Sequence, residues 1–221
     1  ASFGGAFVEG LQGKPGTPEF LDERHVISSV KHFLGDGGTS GGKDQGDTLT
    51  SEAQLRDIHA AGYVPGIAAG AQSVMASFNS FHGQKMHGHE PLLTGVLKER
   101  MNFGGFVVGD WNGHGQVEGC TNTDCPQAFN AGLDMAMAPD SWKGLYESTL
   151  AHAKAGTLPM QRLDDAVRRI LRVKFRMGLF GKPRPSARAL GGRFELLGAP
   201  AHRAVARQAV RESLVLLKHQ G

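Results

Sequence analysis

Four short apolar segments, each running into a loop, constrain this chain more than any other feature. They are Ser29–Leu34, Ser73–Asn79, Gly105–Asp110 and Leu133–Ala138. β-Branched, aromatic and other apolar residues dominate them, and Gly or Pro soon follows each, as expected of buried strands. Helical patterns lie between them. Ser51 and Gln54 have capping-box spacing and predict a helix over residues 51–61. Residues 90–101 carry Pro91 in the first turn, with Leu93, Val96 and Leu97 at helical spacing. A helix over 142–155 follows the fourth strand. Leu163, Val167, Ile170, Leu171 and Val173 define another over 163–177, stopped at Gly178. This alternation predicts an α/β fold of parallel βαβ units. Four such units fit half of an eightfold β/α barrel or part of an open doubly wound sheet.

The rest of the chain bounds the function. Apolar residues make up 40% and charged residues 20%, which excludes a disordered chain. No apolar run approaches the ~20 residues of a membrane span, so no membrane partner is expected. The net charge is only +3, and the basic residues pool only around Arg168 to Lys174, so nucleic acid is not an expected partner. Two cysteines exclude a disulfide scaffold and a zinc site of four thiolates. Cys120 and Cys125 either close a small disulfide loop, which would imply an oxidising compartment, or remain free thiols. The start at Ala1 and the stop after Leu214–Leu217 read as those of a piece of a longer protein. Residues 179–200, with their Pro and Gly, read as a linker, and residues 201–221 as the first helix and strand of another domain.

Active sites of barrels and open α/β sheets lie where strands end. The four strand ends carry Lys31 and His32, Phe78 and Asn79, Asp110 and Trp111, and Met137. Cations, a carboxylate and large apolar groups would converge there, a mixture suited to a polyhydroxyl ligand: charged groups pair with hydroxyls while a sugar's apolar face rests on an aromatic ring. Asp110 is the sharpest signal, because a carboxylate at the mouth of an apolar strand can be held rigidly and kept partly dry; its plainer reading is a helix cap or loop Asp. For Trp111 the plainer reading is a loop aromatic covering the core, and for His32 a satisfied core residue. Lys31 in an apolar strand resists such a reading, since burying an unpaired ammonium is costly.

Other motifs carry less. Gly37 to Lys43 fits G-x-x-x-x-G-K, but Asp44 follows where Ser or Thr should bind magnesium, and a carboxylate there repels phosphate. The cluster His82, His87, His89, Glu90 and His114 matches no metal-ligand spacing, and a polar loop feeding the helix at Pro91 explains it better. No metal and no cofactor is expected.

Several of these segments together resemble one family. Val30-Lys31-His32-Phe33-Leu34-Gly35-Asp36-Gly37-Gly38-Thr39 resembles the Lys-His motif of family 3 glycoside hydrolases, and Gly105-Phe106-Val107-Val108-Gly109-Asp110-Trp111 resembles the segment bearing that family's nucleophile. Ala131–Met135, Arg168–Phe175 and Glu212–Lys218 match in family order as well. The likeness is greatest to the β-glucosidase and exo-β-glucanase branch. It implies the C-terminal half of a (β/α)8 barrel over residues 1–178, a linker over 179–200, and the start of an α/β sandwich domain over 201–221. It also implies a retaining, exo-acting enzyme that releases glucose from β-linked oligosaccharides or aryl or alkyl β-glucosides, in the periplasm or outside the cell.

In that resemblance Asp110 is the nucleophile, Lys31 and His32 bind hydroxyls of the non-reducing-end sugar, and Trp111 walls the next subsite. Met75 and Met137 match positions near the pocket. Phe78 stands where relatives often have Tyr, so a hydroxyl that could contact the nucleophile is missing. Retaining chemistry needs a second carboxyl group roughly 5–5.5 Å from the first. By the resemblance that group lies beyond residue 221, and the early barrel strands precede residue 1, so the chain alone is expected to be inactive. The β-N-acetylhexosaminidase branch places a His in the loop after the Lys-His strand, and residues 35–48 contain none. β-Xylosidase specificity, a non-catalytic carbohydrate-binding role and a metal-dependent barrel hydrolase are the remaining alternatives.

Overall fold

The structure is a computed structural model that describes residues 1–220. Two compact units divide after Phe180. The first contains a four-stranded sheet of β1 (Ser29–Phe33), β3 (Ser73–Ala76), β6 (Phe106–Trp111) and β7 (Met135–Met137), in the order β1-β3-β6-β7. All three pairings are parallel. A parallel pair requires a long crossover, and each interval here supplies one. Between β1 and β3 lie β2 (Asp47–Thr48), α2 (Glu52–Gln54) continuing as a wide turn over Leu55–His59, and α3 (Tyr63–Ala68). Between β3 and β6 lie β4 (Ser80–Phe81), β5 (Gln84–Lys85) and a wide-turn helix over Pro91–Arg100. Between β6 and β7 lies α4 (Pro126–Ala131), and α5 (Trp142–Ala155) and α6 (Met160–Arg176) follow β7. The expected α/β class with a parallel sheet is what the chain adopts.

The central strands are dry. Val74, Ala76 and Val107 are fully buried, and Phe33, Leu93, Leu97 and Leu133 close the same core from β1, the 91–100 helix and the approach to β7. The capping box at Ser51 forms: its Oγ accepts the Gln54 N–H at 3.2 Å, and the Gln54 side chain accepts the Ser51 N–H. β1 is irregular, with a register shift against β3 between Val30 and Phe33 and cis peptides at Lys31–His32 and Phe33–Leu34.

Several expectations need correction. The second strand ends at Ala76, not Asn79, because Ser77 to Asn79 leave the main sheet to enter a three-stranded sheet of β2, β4 and β5. Asn79 is therefore no pocket residue. It is fully buried, and its amide donates to Leu34 O, Thr48 Oγ1 and Ser80 O, tying the glycine-rich loop to the sheet. Helix α1 (Gly4–Gln12) was not anticipated; three glycines and the lack of a side-chain cap hide it from a propensity reading. Helix α6 begins three residues before Leu163, and its apolar stripe is only half used: Val173 is buried, while Val167 is 52% exposed.

The second unit begins at Gly181 and contains short 3-10 turns at Pro185–Ala187 and Phe194–Leu196 and helix α7 (Pro200–Ser213). The strand expected over Leu214–Leu217 does not form. A strand needs a neighbour to bond, and among the described residues these four have none and lie exposed. No described helix is long and apolar enough to cross a membrane.

Candidate active site

β6 carries the site. Phe106, Val107 and Gly109 are buried, whereas Val108 and Asp110 are half-buried. Alternation puts Val108 and Asp110 on one face. Register adds Met75 of β3 and Met135 of β7, both opposite Val108. Met137 lies opposite Trp111, whose side chain is 57% exposed. Asp110 thus lies one residue from the strand's end on the less covered face, with an indole beside it.

Its oxygens are used unequally. Oδ1 accepts the Trp111 N–H at 2.7 Å. Oδ2 faces His32 Nε2 at 3.5 Å. His32 reaches it from β1 across the end of the intervening β3, which stops at Ala76. The other His32 nitrogen, Nδ1, is 3.1 Å from Asp36 Oδ2, so a second carboxylate orients the ring. Among the residues expected at the site, the structure brings Asp110, His32 and Trp111 together. Lys31 is exposed at the middle of β1, and Phe78 is half-buried with its ring 6.0 Å from that of His87.

Two residues escaped the sequence reading. Asp36 lies within the segment that resembles the Lys-His motif, but the sequence assigns it no role of its own. His87, expected in a polar loop, is buried, and its Nε2 accepts the backbone N–H of Asp110 at 2.9 Å. Burial pushes its pKa down to about 4, outweighing the upward pull of Asp110. The signal available beforehand was the glycine pair around Asp110. A Cβ at Gly113 would overlap the His87 ring, and one at Gly109 would touch it at 3.4 Å.

The other histidines of that cluster diverge. His82 Nε2 pairs with Thr50 O at 3.0 Å and His114 Nε2 with Asn122 O at 2.9 Å. Among the described residues no group of three or more His, Cys, Asp or Glu side chains is placed to hold a metal ion. Cys120 and Cys125 are bridged, closing the loop that follows β6, with their Cα atoms 4.7 Å apart. A cavity of about 440 Å³ lies apart from Asp110, lined by Thr94, Lys98, Asn130, Arg162, Asp165 and Arg169 among others.

Comparison with known proteins gives a consistent result. Residues 1–173 match the family model of the glycosyl hydrolase family 3 N terminal domain. The periplasmic beta-glucosidase of Salmonella typhimurium is 34% identical over 237 residues, covering 98% of this chain and 28% of its own length. A beta-xylosidase of Formosa agariphila is 31% identical, covering 98% of this chain and 31% of its own. Among solved structures, an exo-1,3/1,4-beta-glucanase from a Pseudoalteromonas species superposes with a TM-score of 0.96 at 51% identity, covering 99% of this chain and 27% of that one. The chain therefore spans about a third or less of the length of each of these proteins.

Proposed function

Since this chain belongs to glycosyl hydrolase family 3, we propose that it is the nucleophile-bearing part of a retaining, exo-acting β-glycosidase, with Asp110 as the nucleophile. One observation carries the reading. Asp110 is the penultimate residue of a buried parallel strand, with one oxygen engaged by its own neighbour's N–H and the other turned toward His32, free of any closer partner. In the first step Oδ2 attacks the anomeric carbon, and the glycosidic oxygen leaves with a proton from a carboxylic acid that this reading assigns to another part of the longer protein. Water then attacks the same carbon, deprotonated by that group. The sugar is released and the Asp110 carboxylate restored. His32, oriented by Asp36, and Lys31 bind sugar hydroxyls, and Trp111 gives the adjoining sugar an apolar wall.

The proposed substrates are β-linked gluco-oligosaccharides and aryl or alkyl β-glucosides, and the proposed location is the periplasm or outside the cell, where the Cys120–Cys125 bridge would persist. On this reading the parallel sheet is the C-terminal half of a barrel, residues from Gly181 lead into a second domain, and residues 1–221 alone do not turn over substrate. The likeness to a named beta-xylosidase keeps a pentoside as the second reading. A 2-deoxy-2-fluoro glucoside incubated with the full-length protein, followed by peptide mapping, tests the mechanism. The label is expected on Asp110, and a label on any other residue overturns it. Relative kcat/KM on matched aryl glucoside and xyloside decides between the sugars.

A further inference from the structure

We infer that His87 is a positioning residue for the nucleophile: its Nε2 holds the Asp110 backbone, so that the carboxylate keeps one oxygen turned toward His32 and the open end of the sheet. The inference rests on the reading of Asp110 as nucleophile and extends it to a second element of the fold.

The need for such a residue follows from the strand lengths. β3 stops at Ala76, and its register with β6 runs only as far as Met75 opposite Val108. On the other side the register of β6 with β7 breaks between Val108 and Trp111. Asp110 falls in that gap, where regular ladder bonds no longer define the backbone. A strand end left so would fray, and a reacting atom displaced by about 1 Å costs on the order of 10²-fold in rate. His87 fills the gap from the turn Met86–Gly88, accepting the Asp110 N–H at 2.9 Å.

The surroundings fit an acceptor and little else. A nitrogen that accepts an N–H carries no proton, so the ring is neutral with its proton on Nδ1. The residue is 1% exposed, and burial, with His114 and Lys85, favours the neutral form against the charge of Asp110 and the hydrogen bond to the Ser77 backbone. The ring is clasped between Gly109 and Gly113, one on each side of Asp110, where any side chain at Gly113 would displace it. Trp111 N–H then fixes Oδ1 at 2.7 Å. The backbone and one oxygen are thus pinned by different groups, and Oδ2 is left over.

The test compares His87→Leu, which keeps the bulk and removes the acceptor, with His87→Gln, whose amide oxygen can stand near Nε2. Both are made in the full-length protein and assayed on an aryl β-glucoside after the fluoroglucoside label has been mapped. We expect His87→Leu to lower kcat about 10- to 100-fold with KM changed less than about threefold, and His87→Gln to recover at least tenfold of a larger loss or most of a smaller one. A label on a residue other than Asp110 defeats the underlying reading. A label on Asp110 together with a folded His87→Leu of near-normal kcat, or a folded His87→Gln as impaired as the Leu variant, defeats this inference alone. Should both variants fail to fold, ¹⁵N spectra of the unaltered protein decide: a protonated Nδ1 with an acceptor-type Nε2 supports the role, and a protonated Nε2 at His87 overturns it.

Discussion

Asp110 and Asp134 sit at opposite ends of adjacent strands and do opposite things. Asp134, just before β7, is completely buried in its side chain. Its Oδ1 pairs with Lys98 at 2.8 Å and with Arg162, and its Oδ2 accepts the Val107 N–H at 2.8 Å. Arg162 also pairs with Asp165, as does Arg169 at 3.0 Å, and Arg169 donates to Phe103 O and Gly105 O beneath β6. Every oxygen there is saturated, and the charges bolt α6 to the leading edge of the sheet. Lys98, Arg162, Asp165 and Arg169 of this cluster also line the cavity beside it. At the trailing edge, Asp110 has a side chain 19% exposed and one oxygen without a close partner. A carboxylate with both oxygens spoken for is a fastener; one left half-engaged has a lone pair to give.

Breaking each carboxylate in turn sharpens that contrast. Asp110→Ala in the full-length protein is expected to lower kcat about 10⁴-fold, equivalent to about 5.5 kcal/mol, while leaving the denaturation midpoint nearly unchanged. Steady-state kinetics and urea unfolding on the same sample check both halves. Asp134→Ala is expected to do the reverse. It strands Lys98 and Arg162 in a buried setting and costs about 3–5 kcal/mol of stability, with kcat per folded molecule close to normal. If Asp134→Ala abolished turnover without destabilising the fold, the assignment of the two ends would be inverted.

The two ends were unequally legible. Asp110 stood out in the sequence as a carboxylate closing an apolar strand, though a cap or loop role fitted it as well, and β6 formed within one residue of its expected limits. Strands read from composition came out too long wherever the chain left the sheet while still apolar, as at Phe78. His87 and Asp36 were illegible for a different reason. His87 acts on a strand 23 residues away, and neither spacing nor hydrophobic period encodes that meeting; Asp36 is only four residues from His32, but the turn that brings it back onto the ring has no periodic signature. The Asp134 cluster was hidden in the same way: its cations come from the 91–100 helix and from α6, so only the folded chain shows that they share one carboxylate. The unexpected exposure of Val167 has a related cause, since α6 is anchored through Arg162 and Arg169 and not through its apolar stripe alone.

Acid separates the ends by pH. His87 has a folded-state pKa lowered to about 4 by burial, whereas in the unfolded chain it takes up its proton near 6.5. Between those values the unfolded state binds the extra proton, so this contribution is complete above about pH 6.5 and is lost as pH falls toward 4, by up to about 3 kcal/mol. At the other end, burial acts to raise Asp165, but Arg169, Lys98 and Arg162 outweigh it and hold the carboxyl below its ordinary 3.8. Its contribution is lost only as pH falls below that ordinary value, through the lowered one. Denaturant unfolding at intervals from pH 7.5 to 3 is expected to show an early decline that His87→Gln removes and a later one that it does not. A single decline beginning only below pH 4 would deny His87 its buried, neutral state.

The smallest expected effect concerns how the trailing edge is fastened, since among the described residues its ion pairs, His32 with Asp36 and Asp110 and His152 with Asp124, are partly exposed, unlike the buried network of Asp134. The loop after β6 folds back through His114 Nε2 to Asn122 O at 2.9 Å and is closed by the Cys120–Cys125 bridge. A cross-link between residues five apart restricts the unfolded chain only modestly, worth about 2 kcal/mol by loop-closure entropy. The double change Cys120→Ser and Cys125→Ser should therefore lower stability by about that amount. It should also raise hydrogen exchange at backbone amides of residues 113–125 without altering those near Val107, which the charged cluster holds. Equal acceleration at both ends would mean that the sheet opens as one unit and that charge cluster and disulfide do not act as separate fasteners.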